Sequence, residues 1–130
     1  MNTKNIPDEI PMATEGVCTL ALECWRLRRI SELVKHGNEA AGIRHVVRRL
    51  TEILEVMGIK MVEFTGRTYD PGMVPEVVEV RQDREQSDGL AVIDETIAPT
   101  VTWHGQVVRP GQITLRRSPT GPQDSTEVAE

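Results

Sequence analysis

Ile43-Arg-His-Val46-Val47-Arg-Arg-Leu50-Thr-Glu-Ile53-Leu54-Glu-Val-Met57-Gly58-Ile59-Lys-Met-Val-Glu-Phe64 contains the change of period that decides the fold. Up to Gly58 the apolar residues Ile43, Val46, Val47, Leu50, Ile53, Leu54 and Met57 recur at helical spacing and lie on one face of a 3.6-residue helix. From Ile59 onward the pattern becomes short alternating runs broken by turn signals, such as Gly66-Arg-Thr-Tyr69-Asp70-Pro71-Gly72. Helices therefore come first and strands after, which predicts an α+β chain: an N-terminal helical hairpin followed by a small all-β C-terminal domain.

Working back from that stretch, Val17, Leu20, Ala21, Cys24 and Leu27 form a second helical stripe, broadened by Leu22, Trp25, Ile30 and Leu33. The helix is expected from about Met12 to His36. Gly37-Asn38 reads as its stop and the next start, with glycine at the left-handed C′ position and asparagine as the following cap. Two antiparallel helices cannot close a core alone. Two such hairpins from two chains make a four-helix bundle, with Leu20, Cys24, Leu27, Val46, Leu50, Ile53 and Leu54 at the dimer interface. The composition points the same way: 38% of residues are apolar and Trp25, Phe64, Tyr69 and Trp103 are the only aromatics, a thin supply for a lone monomer.

Working forward, strands are expected near Lys60 to Phe64, Val74 to Arg81, Leu90 to Thr96, Thr100 to Trp103, Gln106 to Val108 and Gln112 to Arg116. His104-Gly105 is a hairpin signal and Pro110-Gly111 a second turn. Short strands that close on themselves avoid open edges, so a small barrel or compact sandwich is expected. The organisation is thus an N-terminal arm over 1–11, a helical dimerisation hairpin over 12–58, a β domain over 59–117 and a disordered acidic tail over 118–130.

Fifteen basic against twenty acidic residues give a formal charge of −5, which speaks against a general polyanion binder. Arg26, Arg28 and Arg29, with Arg44, Arg48 and Arg49, form two local basic clusters whose plain reading is the solvated side of two helices. Cys18 and Cys24 are six apart on a helix, unsuited to a disulfide, and fit buried thiols in a reducing cytoplasm. No apolar run is long enough for a signal peptide or a membrane span.

Catalytic and cofactor chemistry finds no support in the residues. His36, His45 and His104 have no cysteine or carboxylate at ligand spacing, so no metal site is expected. Asp94-Glu95 and Glu76, Glu79 fall on strands, where neighbours point to opposite faces. Gly66, Gly72 and Gly89 are isolated rather than clustered ahead of a helix, so no phosphate cradle forms. The late hairpin lacks the lysine a lipoyl or biotinyl carrier needs, because Lys4, Lys35 and Lys60 lie elsewhere. The chain reads as a binding protein with no cofactor of its own.

Gly42-Ile-Arg-His-Val-Val-Arg-Arg-Leu-Thr-Glu-Ile-Leu-Glu-Val-Met-Gly58-Ile59, followed by Tyr69-Asp70-Pro71, resembles the last bundle helix and the helix-to-β junction of the GrpE nucleotide exchange factors. Trp103-His-Gly105-Gln-Val-Val-Arg109-Pro110-Gly-Gln-Ile-Thr-Leu115 is similar to that family's terminal β-domain hairpin. The resemblance runs from about residue 40 to 116. It implies a homodimer whose β domains grip the nucleotide-binding domain of a DnaK-type chaperone ATPase. Gly42 matches a glycine near the start of the last bundle helix, where a missing Cβ permits close backbone approach. Tyr69 and Leu115 match positions that face the chaperone, with packing inside the β domain as an equal reading, and Arg109 matches the hairpin's second basic residue. Gln106 stands where the family has its first basic residue, Val74 where it often has histidine, and the loop from Gln82 to Gly89 is longer. The family's long helical stalk is not expected ahead of residue 12. Two other readings keep the sequence in view: a dimeric adaptor that binds some other protein, and a nucleic-acid module using the helical arginines.

Overall fold

The structure is a computed structural model that describes residues 6–84 and 90–118. Two helices, α1 (Thr14–Leu33) and α2 (Asn38–Val56), precede six strands: β1 (Ile59–Val62), β2 (Glu76–Gln82), β3 (Ala91–Ala98), β4 (Thr100–Trp103), β5 (Gln106–Arg109) and β6 (Gln112–Arg117). The acidic tail beyond Ser118, residues 1–5 of the arm and positions 85–89 of the long loop lie outside the described residues. Ser118 itself is buried at the end of β6.

The α+β layout follows the change of period. Gly58 ends α2 in the left-handed region at φ 85°, where its N–H donates to the Glu55 carbonyl, and β1 starts at the next residue. The link between the helices differs from expectation. Helix α1 stops at Leu33, with Val34 extended, and the Val34 carbonyl freed by that early stop accepts a hydrogen bond from Arg44 Nη1 at 2.9 Å. Gly37 (φ 98°) is therefore the residue preceding α2, and Asn38 is the first helical residue with no side-chain cap.

The β unit is built from one long hairpin bent in the middle. Strands β3 and β4 are separated only by Pro99, and β5 and β6 only by Pro110-Gly111. The tip halves pair as β4·β5 and the base halves as β3·β6, both antiparallel. Adding β1 to the tip gives one three-stranded sheet, β1-β4-β5, and adding β2 to the base gives another, β2-β6-β3. The expected barrel is not closed by hydrogen bonding. Instead β2 lies parallel to β6, with a bulge between Val77 and Glu79. The other edge of that sheet is covered by the turn after β1, where Gly66, Arg67 and Tyr69 exchange backbone hydrogen bonds with Ile93 and Ala91.

The bend demands glycine. A Cβ on Gly111 sits 2.6 Å from the Ala98 carbonyl oxygen and 2.7 Å from the Thr100 nitrogen. The Gly111 N–H donates to Thr100 Oγ1 at 3.0 Å, and its carbonyl accepts from the Glu76 N–H at 2.8 Å. One residue thus ties both arms of the hairpin and β2.

Two cores follow from the two sheets. The first joins Cys18, Ala21 and Cys24 of α1 and Leu54 of α2 to Ile59 and Val101. Small residues on α1 let the helix lie close to the sheet. The second gathers Ala91, Ile93, Ile113 and Leu115, with Phe64, Tyr69, Met73 and Val77 packed against it. Trp25 is fully buried, with the Arg29 guanidinium 4.9 Å from its ring centre. Arg29 also donates to the Thr96 carbonyl, and Arg28 pairs with Glu63 at 2.8 Å, so α1 is fastened to both parts of the β unit.

Gly111→Ala is expected to destabilise the chain by about 1–3 kcal/mol, because the methyl meets backbone that cannot yield; urea denaturation checks this. Burial first, and then the Glu23 carboxylate, push the Cys24 thiol above the ordinary range, so the folded chain holds that proton more tightly than the unfolded one. Stability should accordingly fall as pH rises through the ordinary thiol range, from about pH 8 upward, and Cys24→Ala should flatten the dependence in denaturation midpoints.

Candidate functional site

The β4–β5 hairpin carries an exposed tip and is built for it. His104 (φ 48°) and Gly105 (φ 82°) both take positive φ, the two-residue turn whose twist matches the flanking strands. Trp103 and Gln106 are ladder partners on either side of that turn. The His104 N–H donates to the Gly58 carbonyl at 2.8 Å, and the imidazole lies where a Cβ on Gly58 would fall. Trp103 packs against the same ring at 4.8 Å between centroids. The tip is thereby held against the end of α2.

The residues singled out in the sequence fall in four separate places. Gln106 and Arg109 are both exposed on β5, where the register against β4 slips between Val101 and Thr102, so simple alternation does not assign their faces. Gln106 is at the tip, whereas Arg109 lies at the bend, lining a cavity of about 350 Å³ with Leu22, Arg26 and Glu76. Tyr69 and Leu115 meet in the second core. Leu115 is 2% exposed and presents no surface, and Tyr69 is half-buried with its N–H bonded to Ala91. Gly42 lies on α2 with nothing within 4 Å of a Cβ built there, so none of the described residues uses its smallness.

The helical residues divide as well. Cys24 and Leu54 are buried inside the chain's own first core, and Leu50 is half-buried against it. Leu20 (44% exposed), Leu27 (37%), Val46 (51%) and Ile53 (48%) remain on the surface. On α1, Leu20 and Leu27 are turned roughly 100–120° away from the centre of the row that meets the sheet. Leu27, Ile43 and Val46 edge an almost wholly apolar groove beside Gly42.

Much of the helical arginine charge is engaged locally. Arg28, Arg29 and Arg44 bond as described, Arg26 pairs with Glu23, and Arg49 approaches Glu52 at 3.8 Å. On the second sheet Asp94 stands between Arg81 and Arg116, and Asp83 pairs with Arg116. Among the described residues no three histidine, cysteine or acidic side chains come together to hold a metal ion, and no helix is long and apolar enough to cross a membrane.

Trp103 lies in the hairpin that the sequence marks, and its ring is half exposed beside Met12 and Met57, a grouping drawn from three distant segments that no local period reveals.

No family model matches the chain. Protein GrpE of Wolbachia pipientis wMel is 30% identical over 95 residues, covering 72% of this chain and 49% of that protein. The chain therefore spans about half the length of the curated relative it matches.

Leu115→Ala is expected to cost about 2–5 kcal/mol of stability, as a buried truncation does, while Gln106→Ala and Arg109→Ala should each stay within about 0.5 kcal/mol. Thermal melts of the three variants separate core from surface.

Proposed function

We propose that this chain is a GrpE-like co-chaperone that promotes ADP release from a DnaK-type chaperone ATPase, binding its partner without performing chemistry. One coincidence carries the reading: 30% identity to a curated GrpE across most of the chain joins a helical pair followed by six strands in two small sheets. The physical mechanism is differential binding. A protein that binds the open form of a nucleotide cleft more tightly than the closed form must, by linkage, weaken ADP there by the same factor.

In this reading the β4–β5 hairpin and the bend bearing Arg109 face the ATPase, and the helical pair joins a second copy. The surface rows Leu20, Leu27, Val46 and Ile53, with the apolar groove beside Gly42, support a bundle of two hairpins, since water gains nothing from such a face. Cys24 and Leu54, already covered, fix the helices to the β unit, and Leu115 acts from inside the core by holding the hairpin's base. A cytoplasmic setting goes with this reading.

One observation favours a second reading, a dimeric adaptor that keeps the fold and lacks exchange activity: neutral Gln106 occupies the exposed tip position where the resembled family carries a basic residue.

Release of a fluorescent ADP from DnaK-type ATPases should accelerate on adding the protein, and Arg109→Ala should lower the effect at least about fivefold. Unchanged release from every such ATPase rejects exchange and leaves the adaptor. Sedimentation should give twice the mass of one chain, and Val46→Asp should halve it by placing a charge in the bundle seam.

A further inference from the structure

The segment ahead of α1, the end of α2 and the β4–β5 tip together enclose an open cavity of about 600 Å³. Its size is in the range of sites that take a ligand or an anchoring side chain, about 300–1,000 Å³. Met12, Val17, Met57, Trp103 and Val108 supply an apolar wall. Met12, Met57 and Trp103 are exposed, and Ile10 extends the same rim at 78% exposure. Exposed apolar surface gathered around a concavity marks a contact site, and methionine with tryptophan is the pairing that adapts to and anchors a partner.

The polar groups define the partner's chemistry. Glu9 brings a carboxylate to the lining, with Thr14 and His104 beside it, and no lysine or arginine is among the described residues that line the cavity. Asp8 and Glu15, both exposed, flank Glu9 and Thr14 in the chain. Among the described residues the carboxylates at this rim are therefore unopposed by a lining cation.

We propose that this cavity docks a protein segment that offers a large apolar side chain next to a lysine or arginine. The apolar group fills the space between Met57 and Trp103, and the cation meets Glu9. The site is distinct from the groove beside Gly42, because it lies at the opposite end of the helical pair and shares no lining residue with it. It does not rest on the exchange reading, and its test contains no ATPase.

The probe is a fluorescent amphipathic peptide of about fourteen residues with leucine on one face and lysine on the other, compared with the same peptide carrying glutamate for lysine. Fluorescence polarisation with the full chain should show the lysine peptide binding at least about tenfold more tightly. Met57→Asp should weaken it about tenfold, and Glu9→Arg, in a segment outside both cores, should erase or invert the preference for lysine. Val78→Asp, exposed on β2 in the other sheet, should leave binding unchanged. Circular dichroism of each variant checks the fold, and Glu9→Arg alone suffices if Met57→Asp unfolds.

Several results overturn the proposal. These are equal binding of both peptides, loss of binding with Val78→Asp in place of Met57→Asp, and no binding of either peptide. Binding of dodecylamine without the peptide assigns the cavity to a small amphiphile, and a change of solution mass with Met57→Asp assigns it to a second copy. Either also overturns it.

Discussion

At the middle of the long hairpin, the backbone of Ala98-Pro99-Thr100 passes so close to Gly111 that no side chain fits between them, and the rest of the β unit depends on that crossing. Proline on each arm removes a backbone donor where the ladder must break, and glycine lets the two arms touch as they turn. Because the hairpin bends there, its two halves serve two sheets and two cores. One half meets the helices through Val101, and the other closes over Ile93, Ile113 and Leu115.

Local chemistry made much of this legible. The 3.6-residue period ending at Gly58, the His104-Gly105 turn and the Pro110-Gly111 break each have a mechanism within a few residues, and all six strands lie close to where those signals put them. The chain gave no local hint that β2 would run parallel to β6, since that pairing is set by tertiary packing and by the path between β2 and β3. The end of α1 was also illegible. Gly37 does adopt positive φ, but the helix stops earlier at Leu33, where Arg44, ten residues on from Val34, satisfies the freed carbonyl.

Site reading suffered from the same locality. An apolar stripe shows that a helix face will be buried without showing by what: Cys24 and Leu54 go to the chain's own sheet, while Leu20, Leu27, Val46 and Ile53 in the same broad stripes do not. Gln106 sits at the tip of β5 and Arg109 at the bend, and the register shift between them is not written in the alternation of the sequence. The cluster of Met12, Met57 and Trp103 forms only when the fold brings the ends of α1, α2 and the hairpin together.

The bond from the His104 N–H to the Gly58 carbonyl, with the imidazole lying against that glycine, ties the hairpin tip to the last turn of α2. A pull on the tip therefore reaches the last turn of the helix directly as well as through the strands.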